Sequence, residues 1–275
     1  MLRYWTVTRS GGNGASPDEG GGRVEGSETR WRAADPIAHW LSRVAPTATA
    51  TACGSIGRVA AFAEEEAAFV AKAVARRRNE FLTGRALARL ALAELGCPPR
   101  VIPVSDARLP LWPEGYVGSI SHCADLCLAH VGRRASLLAL GVDLEQSHSV
   151  TPELLDQICT PAEWSRLTSA AQAGDGLGTL IFSAKEAFYK AYFPIARTFL
   201  DFADVTLDVD WPSGAFEASL VSDAAPDIAG QRRFSGRFAQ IGPFVVTAVW
   251  IAASGPTAGA RPPWSRKAAI RASAP

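Results

Sequence analysis

The chain has 275 residues, 48% of them apolar, enough for a sizeable core in one large domain or two ordinary ones and too many for a wholly disordered protein. Twenty-eight Lys and Arg against 27 Asp and Glu leave a formal charge of +1, which argues against a general nucleic-acid binder, since neutralising phosphates needs surplus bases. No apolar run approaches the ~18 residues of a membrane span, and five scattered cysteines (Cys53, Cys97, Cys123, Cys127, Cys159) read as reduced cytoplasmic thiols rather than a disulfide framework.

Residues 1–34 form an expected flexible leader: they lack an apolar signal core and turn rich in Gly, Ser and charge. A helix is predicted from Glu64 to Leu95, with Val70, Val74, Phe81, Ala88 and Leu95 on its buried face and Gly96 as its stop. A Pro-rich turn, Leu109 to Gly115, leads into a strand at Val117 to Ile120, followed by strands at Leu126 to Val131 and Leu138 to Leu144. Thr160-Pro161-Ala162-Glu163 has capping-box spacing with Pro at the first helical position, so a short helix starts there. After a flexible stretch at 174–178, a second long helix is predicted from Thr179 to Phe193, halted by Pro194. Strands follow at Val205 to Val209, Phe216 to Leu220 and Phe244 to Ile251, and 254–275 read as a flexible tail. Consecutive strands joined by turns such as Trp211-Pro212-Ser213-Gly214 imply antiparallel pairing and an α+β class.

Four segments carry chemistry. In Gly141-Val142-Asp143-Leu144-Glu145, strand alternation sends Val142 and Leu144 one way and both carboxylates the other. Two carboxylates on one face repel unless a cation lies between them, and magnesium takes oxygen ligands; the bland reading is a wet sheet face. In Phe182 to Lys190, Leu180, Ala184, Ala187 and Ala191 line the buried side of a helix. Glu186 and Lys190 have the spacing of a surface pair worth about 0.3 to 0.5 kcal/mol, but the surrounding aromatics place them at the rim of a core. Ser119, Ser121 and His122, at a strand end, can donate hydrogen bonds to a phosphate. A zinc site of His122, Cys123, Cys127 and His130 lacks two short ligand pairs separated by a loop, and a structural histidine with buried thiols is preferred. Arg76-Arg77-Arg78 and Arg85 make the fourth segment. Arg77 borders the apolar seam, Arg78 and Arg85 share a neighbouring face, and Gly84 hints at close approach by a ligand or another backbone. Arginines beside an apolar seam suit a phosphate, although arginine runs are by default solvated faces.

Taken in order, Arg-Asn-Glu-Phe-Leu-Thr-Gly-Arg (78–85), Trp-Pro-Glu-Gly (112–115), Gly-Ser-Ile-Ser-His-Cys (118–123), Gly-Val-Asp-Leu-Glu (141–145) and Phe-Ser-Ala-Lys-Glu-Ala-Phe-Tyr-Lys (182–190) resemble the 4′-phosphopantetheinyl transferases. The match spans roughly Glu64 to Leu207 and is nearest to the larger single-chain type serving siderophore, polyketide and nonribosomal peptide synthesis. The resemblance implies two similar α/β halves, here 35–140 and 141–253, in a pseudo-dimeric fold with coenzyme A between them. It implies Asp143, Glu145 and Glu186 as ligands of Mg2+, and His122 and Ser121 on phosphate oxygens. It also implies Lys185 and Lys190 beside the phosphates, and Arg77 and Arg85 on the 3′-phosphate. Where many members carry a basic residue before the Trp-Pro turn this chain has Val104, and Arg108 is the nearest base.

The implied reaction joins a carrier-protein serine to the phosphopantetheine of coenzyme A and releases 3′,5′-adenosine bisphosphate. Glu186 is the candidate base, directly or through a metal-bound water, and whether Lys185 shares the role is left open. Expected partners are acyl or peptidyl carrier proteins, with Arg133 or Arg134 as docking aids, and the protein is expected to be a cytoplasmic monomer engaging neither membrane nor nucleic acid. Two rivals are another magnesium-dependent nucleotide pyrophosphate enzyme, which leaves the arginine helix unexplained, and a non-catalytic carrier-binding module, which leaves the intact acidic set unexplained.

Overall fold

Alternating burial builds the first sheet, and the computed structural model describes residues 36–169 and 176–253. The expected leader (1–34) and tail (254–275) lie outside the described residues, as do positions 174 and 175. Helix α1 covers 36–44, and strand β1, Thr49–Ser55, follows. Helices α2, Glu64–Phe69, and α3, Ala75–Glu94, precede strands β2, Tyr116–Cys123, and β3, Leu126–Arg133. The antiparallel order is β1-β3-β2. Every second residue of β2 is buried, while β3 is buried on both faces, as a central strand must be. Helix α3 covers one face through Ala88, Ala91 and Leu92, packed on Ala129 and Val131 of β3.

The single helix expected over Glu64 to Leu95 is two helices, and Val74, placed on its buried face, is 74% exposed. Glu66 explains the break. Its buried carboxylate accepts from the Phe62 and Ile102 amides and pairs with Arg89 of α3. In one straight helix, residues 23 apart would stand ~34 Å apart; α2 must therefore fold back onto α3. The Gly84 expectation is also corrected: a Cβ there would meet Ile120 Cγ2 at 2.9 Å and Cys127 Sγ at 3.5 Å. That glycine lets α3 lie close on the sheet, and its neighbours are side chains rather than a ligand or backbone.

The second sheet is larger. Strand β4, Leu137–Gln146, leads to helices α4, Pro152–Ile158, α5, Pro161–Ser169, and α6, Leu177–Ala196. A 3-10 turn, Phe202–Asp204, then opens strands β5, Val205–Asp210, β6, Ala215–Leu220, β7, Arg233–Ile241, and β8, Phe244–Ala252. The order is β4-β8-β7-β6-β5, antiparallel throughout. Strand β4 begins before position 140, so all of it belongs to this sheet. Thr160 and Glu163 form the expected capping box: Glu163 Oε2 accepts from the Thr160 amide at 2.7 Å, and Thr160 Oγ1 accepts from the Glu163 amide at 3.3 Å.

Pro194 does not halt α6, which runs on to Ala196 and ends at Arg197 in the left-handed region, φ 54°. A proline so near the end gives up one carbonyl bond and leaves little helix beyond to disrupt. Strand β7 escaped the sequence reading because arginines and Gly236 interrupt its pattern; Gly236 leaves room for the Phe216 ring, which a Cβ would strike. Helix α6 lies against β4 at Gly141, where a Cβ would overlap the Ala187 carbonyl.

Candidate active site

The two sheets meet where β2 lies beside β4, and hydroxyls rather than a backbone ladder join them. Ser119 Oγ accepts from the Val142 amide at 3.1 Å, and Ser121 Oγ accepts from the Leu144 amide at 3.3 Å. Below this seam, Val142 and Leu144 share a core with Leu126 and Leu128 of β3 and Val246 and Ala248 of β8. The other face of β4 is no wet face: α6 covers it, and Asp143 is 3% exposed.

Asp143 organises the centre. Its Oδ1 accepts from Ser121 Oγ at 2.9 Å and from Lys190 Nζ at 2.6 Å, while its buried Oδ2 has no hydrogen-bond partner. Lys190 also donates to Ser121 Oγ at 3.1 Å and the Val142 carbonyl at 3.3 Å. Burial pushes the Glu186 carboxyl up to about 7; Lys190 opposes this and Asp143 adds to it. Burial, then Asp143, pushes Glu145 up to about 8. Glu145 accepts from Ser149 Oγ at 3.3 Å. For Lys190, burial acts downward, but Asp143, Glu186 and Glu145 together carry it above its ordinary value. Three acids therefore face one ammonium, an excess of negative charge in a buried place.

Among the described residues no group of three His, Cys, Asp or Glu side chains converges so as to hold a metal ion. The donor chemistry nevertheless fits a hard divalent cation: the available donors are all oxygen, one carboxylate oxygen is orphaned, and two acids are raised by burial and by the neighbouring Asp143. Glu186 and Lys190 are not the surface pair of the bland reading, because Glu186 is buried and the ion partner of Lys190 is Asp143.

Across the seam from α6, Arg77 NH1 on α3 lies 3.3 Å from His122 Nε2 on β2. Burial pulls His122 below its ordinary value, while Glu80 opposes this and Arg77 reinforces it. Lys190 and Asp143 also act on His122, which ties the arginine helix to the acidic centre. Arg85 lies deeper: its Nε donates to the Ile102 carbonyl at 2.9 Å and its guanidinium stacks 4.5 Å from the Phe81 ring. Burial lowers Arg85 to about 10. Arg108 projects from an exposed turn at φ 60°, and Val104 packs against the small cluster of Val70, Phe81 and Leu82.

Several expectations need correction. Lys185 does not reach this cluster. It is fully buried, donating to the Ile158 carbonyl at 2.8 Å, Glu163 Oε2 at 2.8 Å and the Phe202 carbonyl at 2.9 Å. Five residues along a helix is ~140° of rotation, which turns Lys185 away from Lys190; all three donors of its ammonium are used, leaving none for a phosphate or a catalytic role. Ser121 gives its single O–H to Asp143, so its hydroxyl stitches the sheets rather than donating to a phosphate. His130, by contrast, sits as the preferred structural histidine: its Nε2 accepts from Trp250 Nε1 at 3.0 Å and its Nδ1 bonds Thr51 Oγ1 at 2.8 Å. Burial drops His130 to about 4. Arg133 caps the Leu95 carbonyl and stacks on Tyr116.

Two features escaped the sequence reading. Glu80 is buried between Arg76, Arg77 and His122, a contact signalled only by its helical spacing from the two arginines. Tyr189 has a buried hydroxyl without a partner, raised to about 12 by burial and then by Glu186. Its i,i+3 spacing from Glu186 was the available signal.

Known sequences bear on this geometry directly. Residues 65–132 match the profile of the 4′-phosphopantetheinyl transferase N-terminal domain, and residues 139–239 match that of the 4′-phosphopantetheinyl transferase superfamily. The chain is 42% identical over 159 residues to the 4′-phosphopantetheinyl transferase PptT of Mycobacterium tuberculosis, covering 58% of this chain and 70% of that protein. It is 39% identical over 198 residues to Svp of Streptomyces mobaraensis, covering 70% and 80%, and 36% identical over 192 residues to Npt of Nocardia iowensis, covering 66% and 85%. The chain belongs to the 4′-phosphopantetheinyl transferases, of the type that serves secondary metabolism.

Proposed function

We propose that Asp143, Glu145 and Glu186 hold Mg2+ at the seam between the sheets, and that this centre serves the transfer that defines the family. As a member, the chain moves the phosphopantetheine arm of coenzyme A onto a carrier-protein serine. The observation that carries the magnesium reading is the buried, orphaned Asp143 Oδ2 beside two carboxyls raised to about 7 and 8. When bound, the ion neutralises charge developing on the pyrophosphate oxygens.

The chain's own groups do the rest. The serine oxygen bonds to the β-phosphorus, the bond from that phosphorus to the bridging oxygen breaks, and 3′,5′-adenosine bisphosphate leaves. The serine proton goes to Glu186, the buried carboxylate of α6. His122 donates to a phosphate oxygen, and Lys190 adds charge beside Asp143. Arg77, with Arg85 behind it, binds the 3′-phosphate end of the nucleotide. The two units, each a 20-residue helix on an antiparallel sheet, support a pseudo-dimeric plan with the boundary just before Leu137. Among the described residues no helix is long and apolar enough to cross a membrane, and all five cysteines are free.

The test is mass spectrometry of apo carrier proteins incubated with coenzyme A. One phosphopantetheine mass should be gained with Mg2+ and lost with chelator. A gain that survives chelation would remove the metal from the mechanism.

A further inference from the structure

We propose that Glu80 is a positioning residue of the phosphate grip, holding Arg77 and His122 in the arrangement that receives the 3′-phosphate end of coenzyme A. This rests on the assignment of Arg77 above. Glu80 Oε2 lies 3.5 Å from Arg77 NH1 and 3.7 Å from His122 Nε2, and those two nitrogens are 3.3 Å apart. The three atoms close a triangle between helix α3 and strand β2. The second oxygen, Oε1, takes Arg76 Nε at 3.0 Å. Among the described residues these three side chains are all the polar partners Glu80 has.

An ordinary surface helix pair does not explain this set. The Glu80 side chain is only 9% exposed, so its carboxylate has lost most of its water, whereas those of Arg76 and Arg77 are 62% and 45% exposed. Both arginines precede the acid in sequence, the weaker order for a helical ion pair. Both also stand in the first turn of α3, which contains no acid, where the helix dipole disfavours positive charge. Helix stability alone would place acids there. What the arrangement provides is preorganisation: a long exposed arginine loses rotamer freedom when it binds an anion. A buried carboxylate that fixes it beforehand moves that cost from ligand binding into folding. One carboxylate against two guanidinium groups still leaves the cluster positive, so a phosphate is attracted on the side away from Glu80.

The experiment measures KM and kcat with coenzyme A and with 3′-dephospho-coenzyme A on the full chain. Glu80→Ala should raise KM for coenzyme A about tenfold, leave kcat within about twofold, and shrink the preference for coenzyme A over its dephospho form. Glu80→Asp keeps the charge but withdraws it by one methylene; it should behave the same way and carries the test if the alanine variant fails to fold. In an Arg77→Ala background, Glu80→Ala should add less than about twofold, because it acts through Arg77. If Arg77→Ala shrinks the preference but Glu80→Ala does not, or the two effects add in full, Glu80 is not a positioning residue and the phosphate assignment stands. If neither variant changes the preference, both ideas fall. A drop in kcat at unchanged KM would also overturn the proposal.

Discussion

Helices α3 and α6 are each 20 residues long and each lies on its own antiparallel sheet, yet they handle charge in opposite ways. The first turns of α3 expose cations and bury the acid that restrains them: Arg76 and Arg77 reach into solvent while Glu80 is covered. Helix α6 buries both signs and leaves acids in excess, with Glu186 covered and Lys190 taken by Asp143 of the facing strand. The first arrangement suits an anion arriving from solvent. The second suits a cation drawn into a dry cleft. Coenzyme A pyrophosphate bound with a divalent ion answers both at once, and His122, acted on by Arg77 from one side and Lys190 and Asp143 from the other, stands between them.

The comparison breaks most sharply at the acids. Asp143→Ala and Glu186→Ala should each lower turnover about a thousandfold or more while the fold survives, because a magnesium centre keeps few protein ligands and spares none easily. Circular dichroism and the carrier-mass assay check this together. A variant within tenfold of wild type would take that residue out of the centre.

How far the site was legible in sequence depended on whether spacing alone could show direction. Asp143 and Glu145 could be placed on one strand face, since a strand has only two, but nothing in the spacing showed that α6 covers that face. Arg77 lies against His122 of β2, a contact that its place in the helix did not show. Lys185 was not legible either: an i,i+1 neighbour of Glu186 points ~100° away on a helix, and only the tertiary positions of Ile158, Glu163 and Phe202 show where its ammonium goes. Ser121 was misjudged for a similar reason, since its single proton could not be assigned until β4 lay beside β2. The break between α2 and α3 was hidden because helical periodicity carried across it by coincidence at Val70 and Val74, and only the Glu66–Arg89 pair exposes it.

Lys185 sharpens the comparison, as a cation of α6 that serves the fold. Burial lowers it below its ordinary value, and Glu163 is the largest opposing influence. Lys185→Met leaves Glu163 buried without its counter-ion and should destabilise by about 3 to 5 kcal/mol. Adding Glu163→Leu should recover much of that loss, and turnover of the folded double variant should stay within about tenfold of wild type. Urea denaturation with the carrier assay separates the outcomes. A double variant that is stable but a thousandfold slower would return Lys185 to the phosphates.

The smallest effect is a dependence of stability on pH, and its sign is set by the acids of the second region. Glu186 near 7 and Glu145 near 8 both lie above the ordinary 4.5, so the folded protein holds protons that the unfolded chain releases. Their contribution is fully present below about pH 4.5 and is lost as pH rises through 7 and 8. His130 acts the other way: lowered to about 4, it adds stability as pH rises from 4 to its ordinary 6.5 and nothing beyond. From pH 6.5 to 8.5 the carboxylates act before the thiols of Cys127 and Cys159, which burial raises from 9 and which lower stability only as pH approaches 9. In chelator, Tm should fall across that window, with a limiting slope of about 1.4 kcal/mol per pH unit for each extra proton held. Millimolar Mg2+ should raise Tm more at pH 8 than at pH 6.5, since the ion takes the place of those protons. Glu186→Gln should flatten the chelator curve without flattening the contribution of His130 below pH 6.5. If Tm holds level or rises from pH 6.5 to 8.5 in chelator, the acids are not held protonated in the fold, and the excess negative charge assigned to the second region is wrong.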